Sequence, residues 1–184
     1  MKRISLLAAT LVAILFAASC QQENLEPVQA GSTVTFTVEV PEVATKGIGE
    51  GEQVNTLVYA VYQTEEATES DAYTNIASAD KLYQKSILMQ NGKAMVSLEL
   101  IKDQNYAVLF WAQYAEQNGN ELVSPYYVTD NLYNVTLKTG DFLKSNDDKR
   151  EAFSGRIYLS NVNASISEDI VLGRAVAQIN IATT

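Results

Sequence analysis

The stretch LYQKSILMQNGKAMVSLELI, residues 82–101, sets two alternating apolar runs either side of Asn91-Gly92. Both turn residues tolerate positive φ, as a type I′ turn requires, and Asn-Gly between two such runs is the strongest short-range hairpin signal. The reading is a pair of strands, 82–90 and 93–101, joined as a hairpin. Working outward, TVTFTVEV (33–40) sets Val34, Phe36, Val38 and Val40 against Thr35, Thr37 and Glu39. Period two with β-branched residues marks a half-buried strand, and Pro41 ends it because proline cannot donate to a continuing ladder. NTLVYAVYQ (55–63) is apolar on both faces and therefore central in a sheet. NYAVLFWAQY (105–114), LYNVTL (132–137), GRIYLS (155–160) and VLGRAVAQINIA (171–182) complete the set. The loop 41–53 carries Gly47, Gly49 and Gly51, and residues 64–80 read as a solvated acidic loop. NDDKREAF (146–153), with Asn146 as N-cap, reads as the one short helix. The fold class expected is all-β: a β-sandwich of about 7–8 mostly antiparallel strands with at most one short helix.

Composition limits the function. The 184 residues contain 13 Lys+Arg, 22 Asp+Glu and no histidine, for a net charge of -9. A nucleic-acid partner is disfavoured, because phosphate binding needs a positive patch and no Lys/Arg cluster occurs. The lack of histidine removes the commonest general base and the commonest metal ligand. No phosphate loop or metal constellation is visible, and the Asp147-Asp148 pair beside Lys149 and Arg150 reads as surface charge. The chain is read as not an enzyme, without cofactor or metal. One platform for sugar stacking can be named, Trp111 with Tyr126 and Tyr127. Trp111 lies within an apolar strand, which equally suits a core position beside Tyr59 or Val61.

The N-terminus carries the clearest signal. Met1-Lys2-Arg3 precedes an apolar and small-residue run from Ile4 to Ala18. That run is short of the ~20 residues of a transmembrane helix and reads as a secretory signal over 1–19. Cys20, the single cysteine, follows Ala17-Ala18-Ser19. Small residues before a cysteine resemble a bacterial lipobox, although Ala17 stands where that pattern prefers leucine. There the thiol is acylated, and cleavage leaves the cysteine first in the mature chain. An ordinary signal peptide cut nearby would instead leave a lone free thiol, a liability in an oxidising compartment. Loss of Lys2 and Arg3 with the signal would lower the net charge by two further units. Residues 20–32 then form a lipidated polar tether with Pro27 and Gly31. Glu23 and Glu26 resemble the acidic signal that directs some Bacteroidota lipoproteins to the outer surface. The expected location is the outer membrane, with the domain at the cell surface held by acyl chains on Cys20.

The lipobox cysteine, then TVTFTVEVPEVATKGIGEGEQVNTLVYAVY, VSLELIKDQNYAVLFWAQY and GRAVAQIN, in that order, resembles the fimbrillin-like lipoproteins of Bacteroides and relatives, the type V pilin superfamily. The FWAQ (110–113) and RAVAQIN (174–180) strands carry the likeness most specifically. It implies a transthyretin-like or immunoglobulin-like sandwich over 33–184, and a role as a structural, anchor or tip component of pili or adhesive surface structures. It also implies partnership with other pilin subunits by β-strand addition, in which the first strand is removed and replaced. Family members are matured by an arginine-specific protease, and the loop 41–53 offers only Lys46 as a basic processing site. Members usually continue into a second sandwich domain, so the likeness implies a C-terminally truncated chain. The alternative reading is a glycan-binding outer-membrane surface lipoprotein.

Overall fold

In the computed structural model, which describes residues 31–41, 52–138 and 147–175, the alternating runs become strands of two facing sheets. The strands in chain order are β1 (Gly31–Glu39), β2 (Thr56–Thr64), β3 (Asp80–Leu88), β4 (Lys93–Ile101), β5 (Asn105–Gln113), β6 (Glu116–Asn118), β7 (Glu121–Val123), β8 (Tyr127–Val128), β9 (Thr136–Leu137), β10 (Ala152–Leu159), β11 (Ile166–Val171) and β12 (Gly173–Arg174). One sheet has three strands in the order β11-β1-β4, and the other has five in the order β12-β10-β5-β2-β3. All pairs are antiparallel except β1 with β11, which run parallel. The chain is an all-β sandwich.

The core follows from parity. In β4 the burial alternates without exception, with Ala94, Val96, Leu98 and Leu100 inward. In β1, Val34, Phe36 and Val38 point the same way. They meet Leu57, Tyr59 and Val61 of β2, Val108 and Phe110 of β5, and Phe153 of β10. Burying a large apolar side chain is worth about 1.5–3 kcal/mol, so this layer dominates the stability. β2 and β5 are apolar on both faces because both faces are covered. Their second face presents Val58, Ala60, Tyr62, Ala107, Leu109 and Trp111 to two further segments.

The Asn91-Gly92 turn forms as its residues dictate, but the hairpin does not. Asn91 (φ 51°) and Gly92 (φ 71°) both lie in the left-handed region. Gln90 and Lys93 exchange both backbone hydrogen bonds, at 2.8 and 3.0 Å. Beyond that pair the strands part: β3 joins β2 in one sheet and β4 joins β1 in the other. The turn is therefore a bridge between layers, tied down by Val40 N–H donating to Gly92 C=O at 2.9 Å. Turn chemistry fixes the reversal of the chain. It does not fix whether the ladder continues, and each strand finds a longer partner elsewhere.

Other expectations are corrected. Residues 64–80 are not a plain loop: they hold helix α1 (Glu69–Thr74) and a 3₁₀ turn at Ile76–Ser78. Thr68 caps α1, accepting from Asp71 N–H at 3.2 Å. Ala72 and Ile76 are buried against the sheet. The helix expected at 146–153 is a 3₁₀ turn, Asp148–Arg150, capped by Asp147, whereas Asn146 lies outside the described residues. Of the strand expected at 132–137 only Thr136–Leu137 pairs, because Asn131–Asn134 closes a turn. The run 171–182 is divided between the end of β11 and the short β12, and its residues from 176 lie outside those described. The charged strand β11 and the small hairpin β6–β7 carry too little apolar alternation to be read in advance.

Candidate functional site

Cys20 and Lys46 both lie outside the described residues. Trp111, Tyr126 and Tyr127 are described and do come together, although not as an open platform. Parity places Trp111 opposite Val58 in the β2–β5 ladder, while Phe110 stands opposite Tyr59. Trp111 is buried as expected, but on the outer face of the five-stranded sheet in a cluster with Val58, Tyr127 and Ala152, not beside Tyr59 or Val61. Alternation is legible in a strand, but not which parity faces inward when both are apolar. The Trp111 ring packs edge-on to Tyr127 with centroids 5.3 Å apart, and its indole N–H donates to Gln113 Oε1 at 3.0 Å. Tyr127 is buried and its hydroxyl donates to the Arg150 carbonyl. Tyr126 is half-buried and donates to Asp147 Oδ2 at 2.7 Å. Burial, with that carboxylate next, pushes the Tyr126 phenol up to about 12. Trp111 and Tyr127 therefore clamp the loop 124–138 onto the sheet and offer no free ring face.

The opening on this face lies one step along the sheet. α1 and its 3₁₀ turn cover one part and the loop around Leu132 and Tyr133 covers another. Between them is a cleft of about 450 Å³, lined by Leu109, Phe110 and Ser154–Arg156 of the sheet and by Tyr73, Ile76, Leu132 and Tyr133. The Arg156 guanidinium sits over the Tyr73 ring, 4.0 Å from its centroid. Tyr133 meets the buried Tyr62 edge-on, with centroids 6.3 Å apart. The hydroxyls of Tyr62 and Tyr73 are buried and make no hydrogen bond among the described residues. Burial, then the nearby Glu69 carboxylate, holds the Tyr73 phenol well above its usual range against the opposing pull of Arg156. Arg156 has no carboxylate partner among the described residues.

Among the described residues no three acidic or cysteine side chains are gathered as metal ligands. The sequence could not announce the cleft. Tyr73, Tyr133 and Arg156 are far apart in the chain, and each alone is an unremarked surface residue.

The solved structures to which the chain is similar are distant from it. A DUF1812 protein of Bacteroides thetaiotaomicron proposed to bind polysaccharides is 13% identical with a TM-score of 0.45, covering 78% of this chain and 47% of that one. The chain thus spans about half the length of that structure. The type VI secretion lipoprotein TssJ1 of Pseudomonas aeruginosa is 12% identical with a TM-score of 0.32, covering 80% and 99%. No curated protein sequence matches the chain. A family profile matches residues 26–184, and the chain belongs to that family, DUF6562, a family of unknown function.

Proposed function

We propose that the chain is a lipid-anchored cell-surface subunit of fimbrillin type, acting as an anchor or tip component of a pilus or adhesive structure in the outer membrane. Its role is structural and adhesive, not catalytic. The observation that supports this reading best is the position of β1. This first strand after the tether lies between β11 and β4, with Val34, Phe36 and Val38 fully buried. A strand so placed fills a groove between two others, and β-strand addition would refill that groove if the strand were removed. The leader and Cys20 supply the tether, and two or three acyl chains make such anchoring stable where one gives only marginal binding.

Retention of the strand follows from the loop. Residues 41–53 contain no arginine, and Lys46 is their only basic residue. An arginine-specific protease has no site there, so the subunit keeps both β1 and its lipid. The test is labelling with palmitate together with detergent partition. The native protein takes the label and enters the detergent phase, and Cys20→Ala abolishes both. A Cys20→Ala protein that still fractionates with the outer membrane would overturn the anchor reading.

A further inference from the structure

The outer-face cleft gathers three features that β-strand assembly does not use. The first is Arg156, whose flat face rests on Tyr73. Stacking occupies the guanidinium plane and leaves its N–H edges for hydrogen bonding, and that fork matches a carboxylate in two-point geometry. The second is the pair of aromatic walls. Tyr73 is partly exposed and Tyr133 is 42% exposed, so both reach the opening. The third is the pair of buried phenol hydroxyls, on Tyr73 in one wall and on Tyr62 behind the other, with no partner among the described residues. Buried polar groups are nearly always paired, and an unpaired one at a cleft wall calls for an explanation.

We propose that this cleft binds a saccharide unit bearing a carboxylate, its ring between Tyr73 and Tyr133 and its carboxylate on Arg156. The volume of about 450 Å³ lies in the usual range for small-ligand sites. A hydroxylated ring supplies both donors and acceptors to the exposed Ser154 at the cleft, which an aromatic acid of the same size does not. The net charge of -9 repels a dense polyanion. The ligand is therefore an isolated acidic sugar among neutral ones, held by one fork rather than by the field of the whole protein. The site stands on residues other than Trp111, Tyr126 and Tyr127, and it is independent of lipidation and of strand exchange.

The test is saturation-transfer NMR and titration calorimetry on the full chain, with methyl glucuronide, methyl glucoside and benzoate as probes. The glucuronide binds, and the glucoside and benzoate bind at least about tenfold more weakly. Arg156→Gln and Tyr133→Ala each weaken the glucuronide by about tenfold or more, with melting temperatures close to that of the unaltered protein. Both side chains are exposed, so the fold does not depend on them. Absence of glucuronide binding would overturn the site, as would equal binding to Arg156→Gln. Equal affinity for the glucoside would remove the carboxylate from the account, and equal affinity for benzoate would remove the sugar.

Discussion

Phe36 of β1 and Phe110 of β5 meet edge to face across the two sheets, with ring centroids 5.5 Å apart and an interplanar angle of 76°. Both are fully buried. The contact couples the first strand to the centre of the larger sheet. Phe36→Ala should therefore destabilise by about 3–5 kcal/mol, the usual cost of deleting a core aromatic. Against a total of about 5–15 kcal/mol, that leaves a marginal domain. Denaturant melts of the two proteins measure the difference, and a loss below about 1 kcal/mol would mean that β1 is not seated as described.

Trp111 offers a second check on parity. Trp111→Ala should cost about 3–5 kcal/mol by emptying the space between Val58 and Tyr127. Because the ring is on the outer face, the damage should be local. Hydrogen exchange should rise in the loop 124–138 before it rises in β1 or β4. Uniform loosening of all strands would place Trp111 in the central core instead.

Gly92 tests the turn between the layers. Its φ of 71° is strained for any residue with a Cβ, although a methyl group at that position would have ample space. Gly92→Ala should cost about 1–2 kcal/mol through backbone strain alone. Thermal melts with Gly92→Ala and with Asn91→Ala check this. No effect from Gly92→Ala would mean that the turn is not held in the left-handed region.

High pH should destabilise the fold through its tyrosines. Burial, then a hydrogen bond to Asp147, raises the Tyr126 phenol to about 12, and burial with neighbouring tyrosines raises Tyr83 similarly. A group whose folded value is raised holds its proton in the native state after the unfolded chain has lost it. Stability from these phenols is complete below about pH 10 and is lost as the pH rises toward 12. Melting temperatures between pH 9 and 12 should fall, and Tyr126→Phe should flatten the decline. An unchanged slope in Tyr126→Phe would contradict the Asp147 contact.

How far the fold is legible in the chain depends on whether the information is local. Alternation in 33–40 and 93–101 places β1 and β4 within a residue or two, because one apolar face and one polar face leave a single solution. The double-faced runs of β2 and β5 announce central strands, yet not which parity meets the other sheet. For that reason Trp111 is buried as expected, but in the outer-face cluster with Val58 and Tyr127 rather than beside Tyr59 or Val61. Asn91-Gly92 specifies the turn and not the pairing, since partner choice is set by strands distant in the chain. Thr68, Asp71 and the spacing of Ala72 and Ile76 do carry a capped helix that the acidic composition of 64–80 conceals. The cleft is beyond reach, because Arg156 of β10 and Tyr73 of α1 are far apart in the chain and become neighbours only in the folded structure.

The central claim is that the subunit keeps its first strand and its lipid. The most direct measurement is mass spectrometry of the N-terminus of the native protein taken from the cell surface. The account predicts an acylated Cys20 as the first residue, with β1 intact. A mature chain beginning at Gly47 would contradict it, and would mark a subunit cut after Lys46 whose groove is filled by the strand of a neighbour.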